Sequence, residues 1–236
     1  MEERIQKGLE ALGLTPPPGA AGQLAEYGRL LLEQNQVMNL TAITDPDQVV
    51  DLHFLDSAAL LTLGYDLRDK TLIDVGTGAG LPGLPLKILE PSLRLTLLDS
   101  LGKRVHWLER VADALGLEGV TCLHARAEEQ ALQPDFRDGF DFAVSRAVAS
   151  LELLCELCLP YVKVGGKFLA MKSVDSGAET DRAARGIAKL GGRLLPSADY
   201  LIPGTQVRHR VVAVEKVAPT PKGYPRRWAK IQKAPL

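Results

Sequence analysis

At 236 residues, with 46% apolar and 24% charged side chains, the chain has the size of one full α/β domain and an ordinary globular composition. That excludes a disordered chain, a fibrous repeat and a small disulfide scaffold, and no apolar run reaches the roughly 18 residues of a membrane span. The net charge of −1 conceals a split, because residues 206–236 hold eight basic side chains and the single acid Glu215, against 20 basic and 28 acidic ones before them. Such segregation points to a polyanionic partner, although a solvated tail explains the charge equally well.

In chain order, residues 1–35 carry apolar side chains at helical spacing, among them Leu24, Tyr27, Leu30 and Leu31. The run Thr15-Pro16-Pro17-Pro18-Gly19 ends one helix before another begins. Asp45-Pro46-Asp47 reads as an N-cap with proline at the first helical position, opening a helix through Val49, Val50 and Phe54. A helical cap over residues 1–66 is therefore expected ahead of a core over 67–236 that ends in the basic tail, the whole forming one compact unit. The opening MEERIQKGLE has no apolar stretch of signal-peptide type, so a cytoplasmic chain is expected.

After Leu67 short strand-like runs alternate with helical ones: TLIDV (71–75), RLTLLD (94–99), VTCLHA (120–125), FDFAVS (140–145) and KFLAMK (167–172). The intervening stretches include KRVHWLERVADALG (103–116), VASLELLCELCLPYV (148–162) and a segment near 178–190. This alternation predicts an α/β fold with a parallel sheet covered on both faces. DYLIP (199–203) and HRVVAVEKV (209–217) have no helix between them, which predicts an antiparallel hairpin at one sheet edge. Three cysteines do not pair off, and Cys155 and Cys158 lie in an apolar helical run, where they read as small hydrophobes rather than as a redox or zinc pair.

The most specific stretch is DVGTGAGLPG (74–83), between a strand and a helix. Glycines at 76, 78 and 80 allow a sharp turn and close approach of a ligand, and Asp99, 19 residues past Gly80, ends the next strand where a carboxylate can accept from a ribose diol. Two cofactors fit. A dinucleotide needs the G-x-G-x-x-G spacing, which fails from Gly76 and holds from Gly78 only with Pro82 in the first helical turn. S-adenosylmethionine needs no phosphate cradle and suits the loop better. Ala127 and Glu128, past the third strand, are placed to bracket an adenine, and Arg146, past the fourth, faces the same crevice. As structural alternatives, Glu128 would serve as a helix N-terminal acid and Arg146 as a surface ion pair.

The acid before the first glycine resembles the first motif of class I methyltransferases, which implies a seven-stranded, mostly parallel Rossmann-like sheet. Beyond it, NLTAI (39–43), HFLDS (53–57), DVGTGAGLPGLPLKI (74–88), LTLLDSLGKRVHWL (95–108), ARAEE (125–129), FDFAVSRAVASL (140–151) and YPR (224–226) recur in this order. Together they resemble the methyltransferase G family of bacterial small-subunit ribosomal RNA, also called glucose-inhibited division protein B. The resemblance implies methylation of N7 of guanine 527, in the 530 loop of 16S rRNA, with S-adenosylmethionine as donor. It assigns the cofactor to Gly76, Thr77, Gly78, Gly80, Leu81, Asp99, Ala127, Glu128 and Arg146. One departure is Ser173 after Ala170-Met171-Lys172, where the family usually has glycine.

Guanine N7 has an in-plane lone pair and no proton, so attack on a sulfonium methyl needs alignment at about 3–3.5 Å but no general base. No catalytic side chain and no metal ligand is therefore nominated; His53 and Asp56, three apart on a helix, line the substrate pocket or make a structural pair. Lys103, Arg104, Lys172, Arg208, Arg210, Arg226 and Arg227 are candidates for RNA phosphates, and Tyr224 or Trp228 for stacking on a base. The expected partner is 16S rRNA, in the small subunit or an assembly intermediate, acted on by a monomer away from any membrane. The competing readings are a non-catalytic RNA-binding module on this fold and a nicotinamide-dependent oxidoreductase.

Overall fold

The computed structural model describes residues 1–146 and 149–236, so Ala147 and Val148 of the SRAVA string lie outside the described residues. Glu2–Ala11 (α1) and Ala20–Met38 (α2) are the helices separated by the proline run. Asp45 caps Pro46–Val49 (α3), its carboxylate accepting from the Gln48 amide at 2.9 Å, with Pro46 in the first turn. The helix then departs from the expected course. Val50–Leu55 is a π turn, followed by Asp56–Ala58 (α4) and a 3-10 turn at Ala59–Thr62. The extra residue of a π turn falls where Leu52, His53 and Asp56 all meet one guanidinium, described below.

The core runs Thr71–Val75 (β1), Gly83–Leu89 (α5), Arg94–Asp99 (β2), Gly102–Ala114 (α6), Val120–His124 (β3), Ala127–Gln130 (α7) and Phe140–Arg146 (β4). It continues with Leu151–Cys158 (α8), Val162–Ser173 (β5), Gly177–Lys189 (α9), Gly192–Leu194 (β6), Ala198–Leu201 (β7), Arg208–Lys216 (β8) and Trp228–Lys233 (α10). Strand order is β3-β2-β1-β4-β5-β8-β6, with β7 also on β8. β1 to β5 are parallel and β8 is antiparallel to each of its neighbours.

One expectation, the strand count, needs correction. There are eight strands rather than seven, although β6 pairs with residues 214–216 of β8 and β7 with residues 208–211, so the sheet is seven strands wide. The expected antiparallel β7–β8 hairpin forms at the sheet edge, β8 joining it to β5. The order reverses at β1, between β2 and β4, which is where open α/β sheets bind ligands beyond the carboxyl ends of their strands.

Alternating strand residues build two cores. Leu72, Leu95, Leu97, Val144 and Leu169 face the cap residues Ile5, Leu24, Tyr27, Val50 and Phe54. Ile73, Val75, Ala143, Phe168 and Ala170 face Leu154, Ala183 and Ile231 of α8, α9 and α10. Cys155 and Cys158 are buried in this second core, and burial pushes both thiols well above their ordinary range, so they pack as small hydrophobes.

Lys216, counted in the basic tail, is wholly buried: Nζ donates to Asp138 Oδ1 at 2.7 Å, Leu159 O at 2.7 Å and Val162 O at 2.9 Å. Lys216→Met would remove the ammonium donor from the partly exposed Asp138 carboxylate and from two main-chain carbonyls, at a cost of about 1.5–3 kcal/mol. Calorimetry should show a clearly lowered melting temperature, and cofactor affinity at temperatures where the variant is folded should be unchanged.

Candidate functional site

The glycine loop after β1 is fastened from three sides. Below it, buried Asp74 accepts through Oδ2 from the Thr77 hydroxyl at 2.8 Å and the Gly83 amide at 2.9 Å, while burial pushes its carboxyl up to about 6. From β2, Leu98 O accepts from the Gly76 and Thr77 amides, and Asp99 Oδ2 accepts from the Gly78 amide at 2.9 Å. From the cap, the Tyr27 hydroxyl donates to Ala79 O. The amides of Gly80 and Leu81 go to Thr77 O and that of Leu84 to Gly80 O.

Between residues 76 and 84, then, Ala79 carries the one amide without an acceptor among the described residues, and Pro82 has none to give. A pyrophosphate relies on free amides at this turn and would also meet Asp74 and Asp99. The donor set does not fit a dinucleotide. It fits S-adenosylmethionine, which carries no phosphate and has a sulfonium charge that carboxylates tolerate. The glycines divide the labour. Gly78, at φ 59°, has nothing within 4 Å of where a Cβ would stand, so it borders open space. Gly80, at φ 91°, turns inward, and a Cβ there would come within 2.6 Å of Leu84. The absence of a side chain at Gly80 is thus required by packing against Leu84.

Two adjoining clefts open beyond the strand ends. The first, of about 580 Å³, is lined by Gly76, Thr77, Gly78, Leu81, Asp99, Arg104 and Arg146, and also by Thr41 and His53 of the cap. The second, of about 280 Å³, shares Gly76 and Asp99 and adds Ala127, Glu128, Leu157 and Trp228. Asp99 is 4% exposed, its Oδ1 accepting from the Leu101 amide at 2.9 Å. Glu128 is buried in the first turn of α7, 3.9 Å from Arg126. A third cleft, of about 530 Å³, is lined by Asp56, Met171, Lys172, Ser173, Glu179 and His209, and shares His53 and Arg146 with the first. A further one of about 590 Å³, around Arg4, Lys7 and Asp51, contains no strand-end residue.

Arg146 forms the seam between the first and third clefts. Nη1 donates to Leu52 O at 3.0 Å and Asp56 Oδ2 at 2.9 Å, and Nη2 stands 3.1 Å from His53 Nδ1. Asp56, fully buried, also accepts from the Tyr200 hydroxyl and lies 2.7 Å from His209 Nδ1. Burial opposes its charge, but the His209 hydrogen bond and the Arg146 guanidinium outweigh it and hold the carboxyl below its ordinary range. Burial and Arg146 push His53 down to about 4, and its Nε2 faces Thr41 Oγ1 at 2.8 Å. Arg146 and Asp56 thus make a buried ion pair at the site, not a surface one.

The basic candidates fall into two groups. Lys103, Arg208 and Arg227 are exposed. Arg104 leans on Asp99 at 3.6 Å, Lys172 donates to Ala149 O and Glu179, Arg210 forks onto Asp199, and Arg226 forks onto fully buried Glu156. Those four are partly buried and engaged within the protein. Ser173 ends β5 opposite His209 in ordinary strand backbone, so serine costs nothing where the family has glycine. Trp228 lines the second cleft instead of standing free for RNA, which no spacing signal in the sequence indicates.

A family model described as rRNA small subunit methyltransferase G matches residues 20–197. The chain belongs to that family. It is 43% identical to "Ribosomal RNA small subunit methyltransferase G" of Alkaliphilus metalliredigens over 98% of this chain and 97% of the relative. The protein of the same name from Lachnoclostridium phytofermentans is 44% identical over 98% and 95%. Among solved structures, a predicted O-methyltransferase from Agrobacterium tumefaciens superposes with TM-score 0.52 at 19% identity, covering 75% of this chain and 82% of that one, which shows a shared fold. The protein is a small-subunit rRNA methyltransferase, and S-adenosylmethionine is its methyl donor.

The buried pair makes a pH prediction. Its hydrogen bond to Asp56 raises His209 above 6.5, so the stability it contributes is fully present below that value and lost as pH rises through the raised one. His53 is depressed to about 4, so its neutral burial destabilises only as pH falls from 6.5 towards 4. NMR titration should find His209 protonating above 6.5 in the native protein and shifting downward in Asp56→Asn; an unchanged midpoint in that variant would refute the pairing.

Proposed function

We propose that this methyltransferase modifies N7 of guanine 527 in 16S rRNA, with the donor across the first two clefts and the guanine in the third. The observation that carries this reading is the shared wall of His53 and Arg146, which brings a base in one cleft against a donor in the other. When bound, S-adenosylmethionine supplies an electrophilic sulfonium methyl. The chain's own residues do the positioning. Asp99 has lone pairs left for ribose hydroxyls after accepting two amides, and Ala127 and Glu128 frame the adenine end.

Among the described residues Arg146 spends three of its five N–H donors, leaving two for an acceptor such as guanine O6, beside N7. His53 has both ring nitrogens engaged and stays neutral near pH 7, so it orients groups and does not carry a proton. None is required, because the nucleophile is an unprotonated lone pair; for the same reason no metal is invoked. The exposed Lys103, Arg208 and Arg227 meet RNA phosphates, and the enzyme works as a monomer in the cytoplasm, where small subunits and their assembly intermediates are found.

Small subunits from cells lacking this activity, incubated with the enzyme and labelled donor and then reduced and treated with aniline, should give one strong cut in the 530 loop. Label without that cut would discard the N7 assignment. Gly78→Asp puts a carboxylate into the open cleft at a backbone angle aspartate tolerates. It should retain the native circular dichroism and lose donor binding at least 100-fold by calorimetry.

A further inference from the structure

The donor site as read from motifs ends at the sheet, yet the second cleft has a wall that comes from the far end of the chain. Trp228, the first residue of α10, lines it together with Ala127, Glu128 and Leu157. It stands beyond residues 20–197, the span matched by the family model. The segment carrying it is fixed at several points. Ile231, one turn on, is fully buried in the second core. Arg226, two residues before Trp228, donates to both carboxylate oxygens of buried Glu156 on α8, its backbone amide to Oε1 as well, and its Nη2 to Ala234 O at 2.9 Å. Arg137 holds the approach by donating to Thr220 O and Tyr224 O, both at 2.8 Å. At the far end Gly186 of α9 leaves room for Leu236, which would stand 2.8 Å from a Cβ there.

A buried ion pair contributes little net stability, and its best-attested use is to fix one arrangement. Here it fixes an indole at a cleft. The chemistry of that cleft suits a purine: Val75, Leu98, Leu157 and Trp228 give apolar faces, while Glu128 and nearby main chain give a polar edge. An RNA base is the less fitting occupant, because the cleft shares Gly76 and Asp99 with the glycine-loop cleft and so continues the donor site.

We propose that Trp228 is a cofactor-positioning residue: α10 closes the second cleft and its indole packs against the adenine of the methyl donor. This rests on the placement of the donor given under Proposed function.

Calorimetric titration of the full-length protein with S-adenosylhomocysteine tests it. Trp228→Ala should weaken binding about tenfold, or ~1.4 kcal/mol. Trp228→Phe should stay within about threefold of the parent. The same loss should appear with 5′-methylthioadenosine, which keeps the adenine and lacks the amino-acid end, and affinity for 16S rRNA should not change. A folded Trp228→Ala protein with parental affinity for S-adenosylhomocysteine overturns the proposal, as does a loss confined to rRNA binding, which would place the indole on RNA.

Should that variant fail to fold, Trp107→Phe leaves Trp228 as the one remaining tryptophan. Its fluorescence should change on titration with S-adenosylhomocysteine, saturating at the calorimetric Kd, and a flat response at saturating ligand overturns the proposal. A parent protein that binds no S-adenosylhomocysteine would instead remove the donor placement itself, and this inference with it.

Discussion

The Arg146 guanidinium, held between Asp56, His53 and the Leu52 carbonyl, joins the cap to the sheet at the point where chemistry is proposed. An arginine ending a central strand would face water if the cap were absent, and Asp56 would be a buried charge without a partner if Arg146 were absent. Removing one member of such a pair costs about 3–5 kcal/mol, far more than the pair contributes as a whole. The arrangement therefore specifies position more than it adds stability. Tyr200 and His209 extend it to β7 and β8, so four parts of the fold converge on one carboxylate. The π turn over residues 50–55 carries two of the guanidinium's partners, Leu52 and His53, and Asp56 follows it directly.

The glycine loop follows the opposite logic. Its backbone donors are nearly all spent within the protein, on Asp74, Asp99 and neighbouring carbonyls. A loop with its amides committed cannot cradle phosphate, however well its glycines match a phosphate-binding spacing. What it offers is shape: a close approach at Gly78 and a rigid floor. Rigidity of this kind serves a methyl transfer that depends on alignment, since the cost of ordering the loop is met at folding and not at binding.

The tail shows why charge in a sequence is a weak guide to a binding surface. Lys216 and Arg226 are structural struts whose charges end on Asp138 and Glu156 inside the fold. Arg210 pairs across the β7–β8 ladder with Asp199. Each acid lies far away in sequence or on another element, so no local window reveals the pairing. The same segment, with Arg210, Lys216 and Arg226 of its eight basic residues paired within the protein, delivers Trp228 to the second cleft.

By itself the sequence determined the alternation of strands and helices, the N-cap at Asp45, the glycine loop with Asp99 19 residues on, and the family. These are local patterns, in which period, turn chemistry and motif spacing lie within a few residues of one another. The tertiary structure decided the π turn over residues 50–55, the inward face of Gly80 and the place of β6 beside β7 on β8. It also decided the partners of Arg104, Lys172, Arg210 and Arg226 and the position of Trp228. Each of those depends on contacts between segments distant along the chain, where burial and the pairing of polar groups, not local propensity, choose the outcome.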